Sequence, residues 1–254
     1  MDFVDVDTRT DTPLYIDPYA ISIRNDPWSV ECHSHIIDYF QIVIDAIRRN
    51  DDAKAQELLS YLHEPQETHF GVSIDGLEGR GIGGLQSLEI FRALKGSRAV
   101  QTGFLKDLED CALMIEGVDR DKVSDIATNI IRRQLIEYTQ DQCALLGIPM
   151  TRKPSSFFWN MHDHSWKNEM LEIPLCMGAP ILFVPKSIVR MSLILNYKEY
   201  YDKDIMEHLQ AYHLDAGSAL VQTLKNGTQR VTKKSLEREL PLSKENVYRY
   251  SKDN

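Results

Sequence analysis

Residues 121–146 read DKVSDIATNIIRRQLIEYTQDQCALL and run into Gly147-Ile148-Pro149. No glycine or proline interrupts the run, and Gly147 with Pro149 supplies a stop signal. At about 100° per residue, Ala127, Ile131, Leu135, Tyr138 and Leu145 share one stripe. Asp125, Asn129, Arg132 and Gln140 share the opposite one. The spacing predicts one long helix whose polar face meets water or another subunit. An Asp and an Asn one turn apart are also side chains that a divalent cation accepts, so Asp125 and Asn129 are candidate metal ligands.

Toward the N-terminus, Asp26-Pro27 combines an N-cap with a first-turn proline. It predicts a helix to about Asn50 with an apolar stripe of Ile37, Phe40, Ile44 and Ile47. A second helix, about Asp52 to His63, should pair with it antiparallel. Phe3–Asp7 alternates as a strand would, with Asp5 and Asp7 on one face. His69–Ser73 is a candidate strand, Gly76–Gly84 a loop, and Leu85–Leu94 a helix. A short helix over Leu105–Asp110 and a strand over Cys111–Ile115 follow.

Beyond Pro149, Phe157–Trp159, Leu171–Cys176 and Ile181–Val184 read as strands or extended segments. Lys198–Tyr212 and Ala216–Lys225 read as helices. The tail from Thr232 is charged and too polar to build a core. The expected fold class is α+β, mainly helical with a small mixed sheet. Its expected division is a helical lobe over 1–150 and a smaller α+β lobe over 151–254, or one compact domain.

The 254 residues are 43% hydrophobic and 26% charged, which excludes wholesale disorder. The net charge of −9 removes a global basic field, so any contact with nucleic acid needs a local patch. Cys32, Cys111, Cys143 and Cys176 show no paired spacing and predict free thiols in a reducing compartment. Neither an apolar leader nor a run of ~18 apolar residues is present. The expected location is the cytoplasm, with no membrane partner.

Several segments have chemical potential. Gly79-Arg80-Gly81-Ile82-Gly83 precedes a helix, and its amides with Arg80 suit a phosphate. No Lys-Ser/Thr follows, so it is no P-loop, and a plain connector fits as well. Glu67-Thr68-His69 offers a carboxylate and an imidazole to the same place. His162-Asp163-His164 has two-ligand spacing with no third ligand in register. A nuclease of the PD-(D/E)XK type needs an acid two residues before a lysine. Val184-Pro185-Lys186 lacks the acid, and Leu171-Glu172-Ile173 lacks the lysine.

Taken together, several segments resemble a family of bacterial proteins of unassigned function associated with mobile elements and antiphage defence. They are Glu67–Ser73 with Gly79-Arg80-Gly81, Ser124-Asp125 with Thr128–Ile131, and Glu137–Gln140 with Cys143. Pro180–Lys186 and Ser218–Val221 with Leu224–Gly227 complete the set. The resemblance spans about residues 1–240. It implies that longer relatives continue into a PD-(D/E)XK nuclease-like domain, whose motif this sequence does not contain.

The leading expectation is a sensing or assembly module of a defence system, acting on or beside nucleic acid. Gly79, Arg80, Gly81, Gly83, Arg132, Arg133 and Lys186 are its candidate phosphate contacts. A second copy or a partner protein of the same system would pack on it. The rival is a nuclease or phosphohydrolase dependent on Mg²⁺ or Mn²⁺. It would use Glu67, Asp107, Asp125 and Glu137 with His69 as base. A non-catalytic structural subunit is the third reading.

Overall fold

The computed structural model describes residues 1–70, 83–191 and 196–253. In chain order, β1 (Tyr15–Ile16), α1 (Pro18–Ser22), α2 (Pro27–Arg48) and α3 (Asp52–Leu59) come first. Then follow α4 (Gly83–Gly96), α5 (Arg98–Gln101), α6 (Leu108–Met114), α7 (Arg120–Ile130) and α8 (Arg132–Leu146). The strands β2 (Thr151–Pro154), β3 (Phe158–Asn160), β4 (Ser165–Lys167) and β5 (Met170–Ile173) lead to β6 (Leu175–Cys176), β7 (Ala179–Pro180) and β8 (Val189–Arg190). The C-terminal part holds α9 (Tyr197–Tyr200), a wide π-type turn over Tyr201–Ile205, and α10 (Met206–Asp215). It ends with β9 (Gln222–Thr223), β10 (Gln229–Arg230), α11 (Lys233–Glu239) and α12 (Lys244–Asp253).

The fold is α+β and mainly helical. Its ladders among the described residues are two-stranded and antiparallel: β1–β8, β2–β5, β3–β4, β6–β7 and β9–β10. Thr12 and Phe70 form an isolated parallel bridge. Two-stranded ladders are marginal alone and need a packed face. The β3–β4 hairpin obtains one from Trp159 and Trp166, whose rings meet Tyr39 of α2 edge-on at 5.0 and 5.2 Å. Each indole N–H has an acceptor: Asp38 Oδ2 at 2.8 Å for Trp159, and the Leu58 carbonyl at 2.9 Å for Trp166.

The first long helix forms as its sequence predicts. Asp26 Oδ1 accepts the Ser29 amide at 3.0 Å, and Pro27 occupies the first turn. Its buried stripe is Cys32, Ile36, Tyr39, Phe40, Val43, Ile44 and Ile47. Ile37, expected on it, is only half-buried, because Ile36 takes the inward position.

The second long helix differs from expectation. The run 121–146 is two helices, broken at Ile131, whose backbone leaves the helical region at φ −88° and ψ 14°. The break re-aims the second half, so a stripe drawn through both halves does not hold. Asn129 and Arg132 lie inside the protein, 0% and 1% exposed, and meet neither water nor another subunit.

Other segments also depart from the sequence reading. Cys111–Ile115 is not a strand, since α6 continues to Met114; a short apolar run does not tell helix from strand. Phe3 makes only an isolated bridge to Pro185. Residues 181–184 are extended but belong to no ladder; the Leu182 amide donates to the Glu67 carbonyl at 2.8 Å. Ala216–Lys225 is not helical and contains β9.

One core gathers Ile36, Ile44, Leu58, Val100, Ile130 and Leu135 with Trp159, Ile173, Val184 and Ile188, so it continues on both sides of 149–155. A second cluster holds Tyr201, Ile205, Met206, Val231, Leu236 and Val247. The tail from Thr232 therefore does build a core, using few but well-spaced apolar residues.

Candidate functional site

Two consecutive arginines at the start of α8 divide the candidate site in two. Arg132 points inward and Arg133 outward. The Arg132 guanidinium faces Glu67 Oε2 at 3.6 Å, Asn129 Oδ1 at 3.1 Å and His63 Nε2 at 3.3 Å, and it donates to the Phe157 carbonyl. Asn129 Nδ2 donates to the carbonyls of His63 at 2.6 Å and Asp125 at 2.7 Å. Ser156 Oγ donates to Glu67 Oε1 at 2.5 Å. Burial alone would raise the Glu67 pKa. The Arg132 charge and the Ser156 hydroxyl outweigh burial and hold the carboxyl below its usual range.

This network removes Arg132 from the candidate phosphate contacts, because its guanidinium is spent inside the protein. It also bears on the proposed metal pair. Asn129 gives its amide hydrogens to two carbonyls and its oxygen to Arg132, so a cation there would sit beside a buried positive charge. Asp125 lies near Glu64, Asp121 and Asp119. Burial, then those charges, push its carboxyl up to about 8. Among the described residues, no three His, Cys, Asp or Glu side chains converge as a metal centre would require.

Arg133 lines a cleft of about 390 Å³ between α2, α8 and the β3–β4 hairpin. Its Nε bonds Glu137 Oε1 at 2.6 Å, its NH1 bonds Glu169 Oε2 at 2.8 Å, and it lies over the Phe158 ring. Gln134, 2% exposed, forms the inner wall. Its Nε2 donates to Glu31 Oε1 at 3.1 Å and to His35 Nε2 at 3.2 Å. The carboxylate fixes which way the amide points. His35 Nδ1 lies 3.0 Å from the Glu31 carbonyl and must carry the proton, which leaves Nε2 as acceptor. The sequence reading missed Glu31 and Gln134 here. The one signal available was the i, i+4 spacing of Glu31 and His35.

The remaining candidates lie apart. Asp107 starts α6, and its amide donates to Asp110 Oδ2 at 3.4 Å, a helix-starting role. Lys186 is exposed and donates to the Met1 carbonyl at 3.1 Å. His69 has a left-handed backbone, φ 53°, and its carbonyl accepts the Thr12 amide at 2.8 Å. Gly83 opens α4, whereas Gly79, Arg80 and Gly81 lie outside the described residues. His162 and His164 flank the β3–β4 turn, where His164 Nε2 meets Asp38 at 3.2 Å.

A family model described as Domain of unknown function (DUF8370) matches residues 1–196. The chain belongs to that family. No curated protein and no solved structure matches it. The DUF8370 region takes in all of the main core but Tyr248, with the Arg132 network and the cleft, and it stops just before α9. The segments 218–221 and 224–227 lie beyond it. No described helix of this DUF8370 protein is long and apolar enough to cross a membrane.

Proposed function

We infer that the chain is a binding and assembly module that works on or beside nucleic acid, and not a hydrolase. The observation that carries this reading is the separate commitment of each candidate acid. Glu67 is neutralised by Arg132 and Glu137 by Arg133, Asp107 starts a helix, and among the described residues Asp125 joins no group of three His, Cys, Asp or Glu that could hold a metal. A metal-dependent hydrolase needs at least two such carboxylates converging on one reacting centre. The antiphage-defence setting is supported by the resemblance of segments described above.

The test uses the purified chain with Mg²⁺ or Mn²⁺ against single- and double-stranded DNA, RNA and an aryl phosphate. The reading expects no turnover and no metal-dependent rise in melting temperature. Cleavage that depends on metal and disappears in Asp125→Ala would overturn it. The defence setting expects deletion of the gene to sensitise its host to phage, and unchanged plaque counts would remove that setting.

A further inference from the structure

Charge is divided unevenly along this chain. Residues 217–254 carry eight Lys and Arg against four Asp and Glu, a local +4 inside a chain of −9. In that stretch, α11 and α12 are joined by Leu240-Pro241-Leu242-Ser243. Ser243 starts α12: its Oγ accepts the Asn246 amide at 3.1 Å, and its carbonyl accepts the Val247 amide at 3.0 Å. Leu236 of α11 and Val247 of α12 are buried together with Ile205 and Met206 from the preceding helical segment. These two short helices on a four-residue turn share a small core with the preceding helical segment, and α12 also packs on α6 of the body. The β9–β10 hairpin flanks this unit, separated from α11 only by Val231 and Thr232.

The cations of this unit face water. Lys225, Arg230, Lys234, Arg238 and Arg249 are exposed. Among the described residues, none of these five side chains has an ion pair or hydrogen bond within the chain. In the body, Arg9, Arg24, Lys54, Arg133 and Lys167 are each paired with a carboxylate, while Arg152 and Lys153 of β2 are exposed without one among the described residues. Residues 217–254 hold the acids Glu237, Glu239, Glu245 and Asp253, of which Glu245 is taken by Arg98 of the body, and the preceding helical segment adds Glu199, paired with Lys203, and Asp202, Asp204, Glu207 and Asp215. Single strands are recognised by exposed stacking rings. Tyr212, 60% exposed, is the one large exposed aromatic among the described residues of this unit. The chemistry therefore favours a duplex backbone.

We propose that the C-terminal unit binds the backbone of duplex DNA. Lys225, Arg230, Lys234, Arg238 and Arg249 contact its phosphates. This rests on the nucleic-acid reading above and names its partner and surface.

The experiment is fluorescence anisotropy of the full chain with a labelled mixed-sequence DNA duplex over a salt series. Affinity should fall as salt rises. Lys234→Glu with Arg238→Glu should weaken binding about tenfold or more and lower the salt slope by about 2. Lys153→Glu, on an exposed strand of the body, should bind like wild type. Arg230→Gln with Arg249→Gln adds no acid and should weaken binding in the same direction; it decides the matter if the first double variant melts early. Full binding by both double variants overturns this surface and leaves the nucleic-acid reading standing. A preference for single strands or duplex RNA overturns the partner. No binding to any of the three overturns both readings.

Discussion

The guanidinium of Arg132 stands 3.6 Å from the carboxylate of Glu67, with 1% and 15% of their side chains exposed. One residue on, Arg133 meets Glu137 and Glu169 with 32% of its side chain exposed. Like pairs in unlike surroundings have unlike consequences. Removing one partner of a buried pair strands the other charge and costs about 3–5 kcal/mol. Breaking an exposed pair costs about 1 kcal/mol or less. Arg132→Met should therefore lower the urea midpoint far more than Arg133→Met. Equal effects would mean that the Arg132 network contributes no special stability.

The same burial changes what a charge reversal does. The sequence places Arg132 on an outward stripe, where Arg132→Glu would separate subunits. The structure places a second carboxylate against Glu67 instead. Circular dichroism of Arg132→Glu at high dilution and at high concentration should show equal loss of structure. A folded monomer that no longer associates would contradict this.

Glu109 sets a pH dependence. It is 8% exposed, its Oε2 has no partner among the described residues, and burial first, with Asp107 and Asp110 next, raises its pKa from 4.5 to about 7. The raised value means that the fold disfavours the ionised form. The penalty is absent below about pH 4.5, grows as pH rises toward 7, and is constant above. At about 1.4 kcal/mol per unit, it is at most about 3 kcal/mol. Glu109→Gln should stabilise the protein at pH 8 and change little at pH 4.5, as read by chemical denaturation. A gain that is the same at both pH values would show that the carboxyl does not titrate in this way.

What was legible in the sequence follows from local physics. Asp26-Pro27 and the stripe behind it gave α2 almost residue for residue, because a cap and an apolar period are both local signals. The break at Ile131 was not legible. Nothing in Asn129–Arg133 disfavours helix, and the break accompanies the inward docking of Arg132 on Glu67 and Phe157, which are distant in sequence. The same distance hid the cleft: Glu31, Gln134 and Glu169 come from three separate elements. The cationic C-terminal stretch was legible as charge. Its fold was obscured because so small a core needs only Leu236 and Val247 from its last two helices.

Lys244 ties that last helix to the DUF8370 body. Its Nζ donates to the Ile115 carbonyl at 2.9 Å and the Val118 carbonyl at 2.6 Å, beyond the end of α6, and lies over the Tyr197 ring. One turn on, the Tyr248 hydroxyl meets Thr102 Oγ1 at 3.0 Å, and its ring meets Phe104 edge-on at 5.6 Å. Lys244→Met keeps the stem but leaves two carbonyls without their donor, a loss of about 2–3 kcal/mol for a charged donor. Tyr248→Phe removes one neutral hydrogen bond, about 1 kcal/mol. Both losses fall where α12 meets the body, Tyr248 there being part of the main core. Hydrogen exchange should therefore speed up in α12 for Lys244→Met, with less change in α2 and α8, and Tyr248→Phe should do the same more weakly. A uniform change across α2, α8 and α12 would mean that the C-terminal unit opens only when the whole protein unfolds.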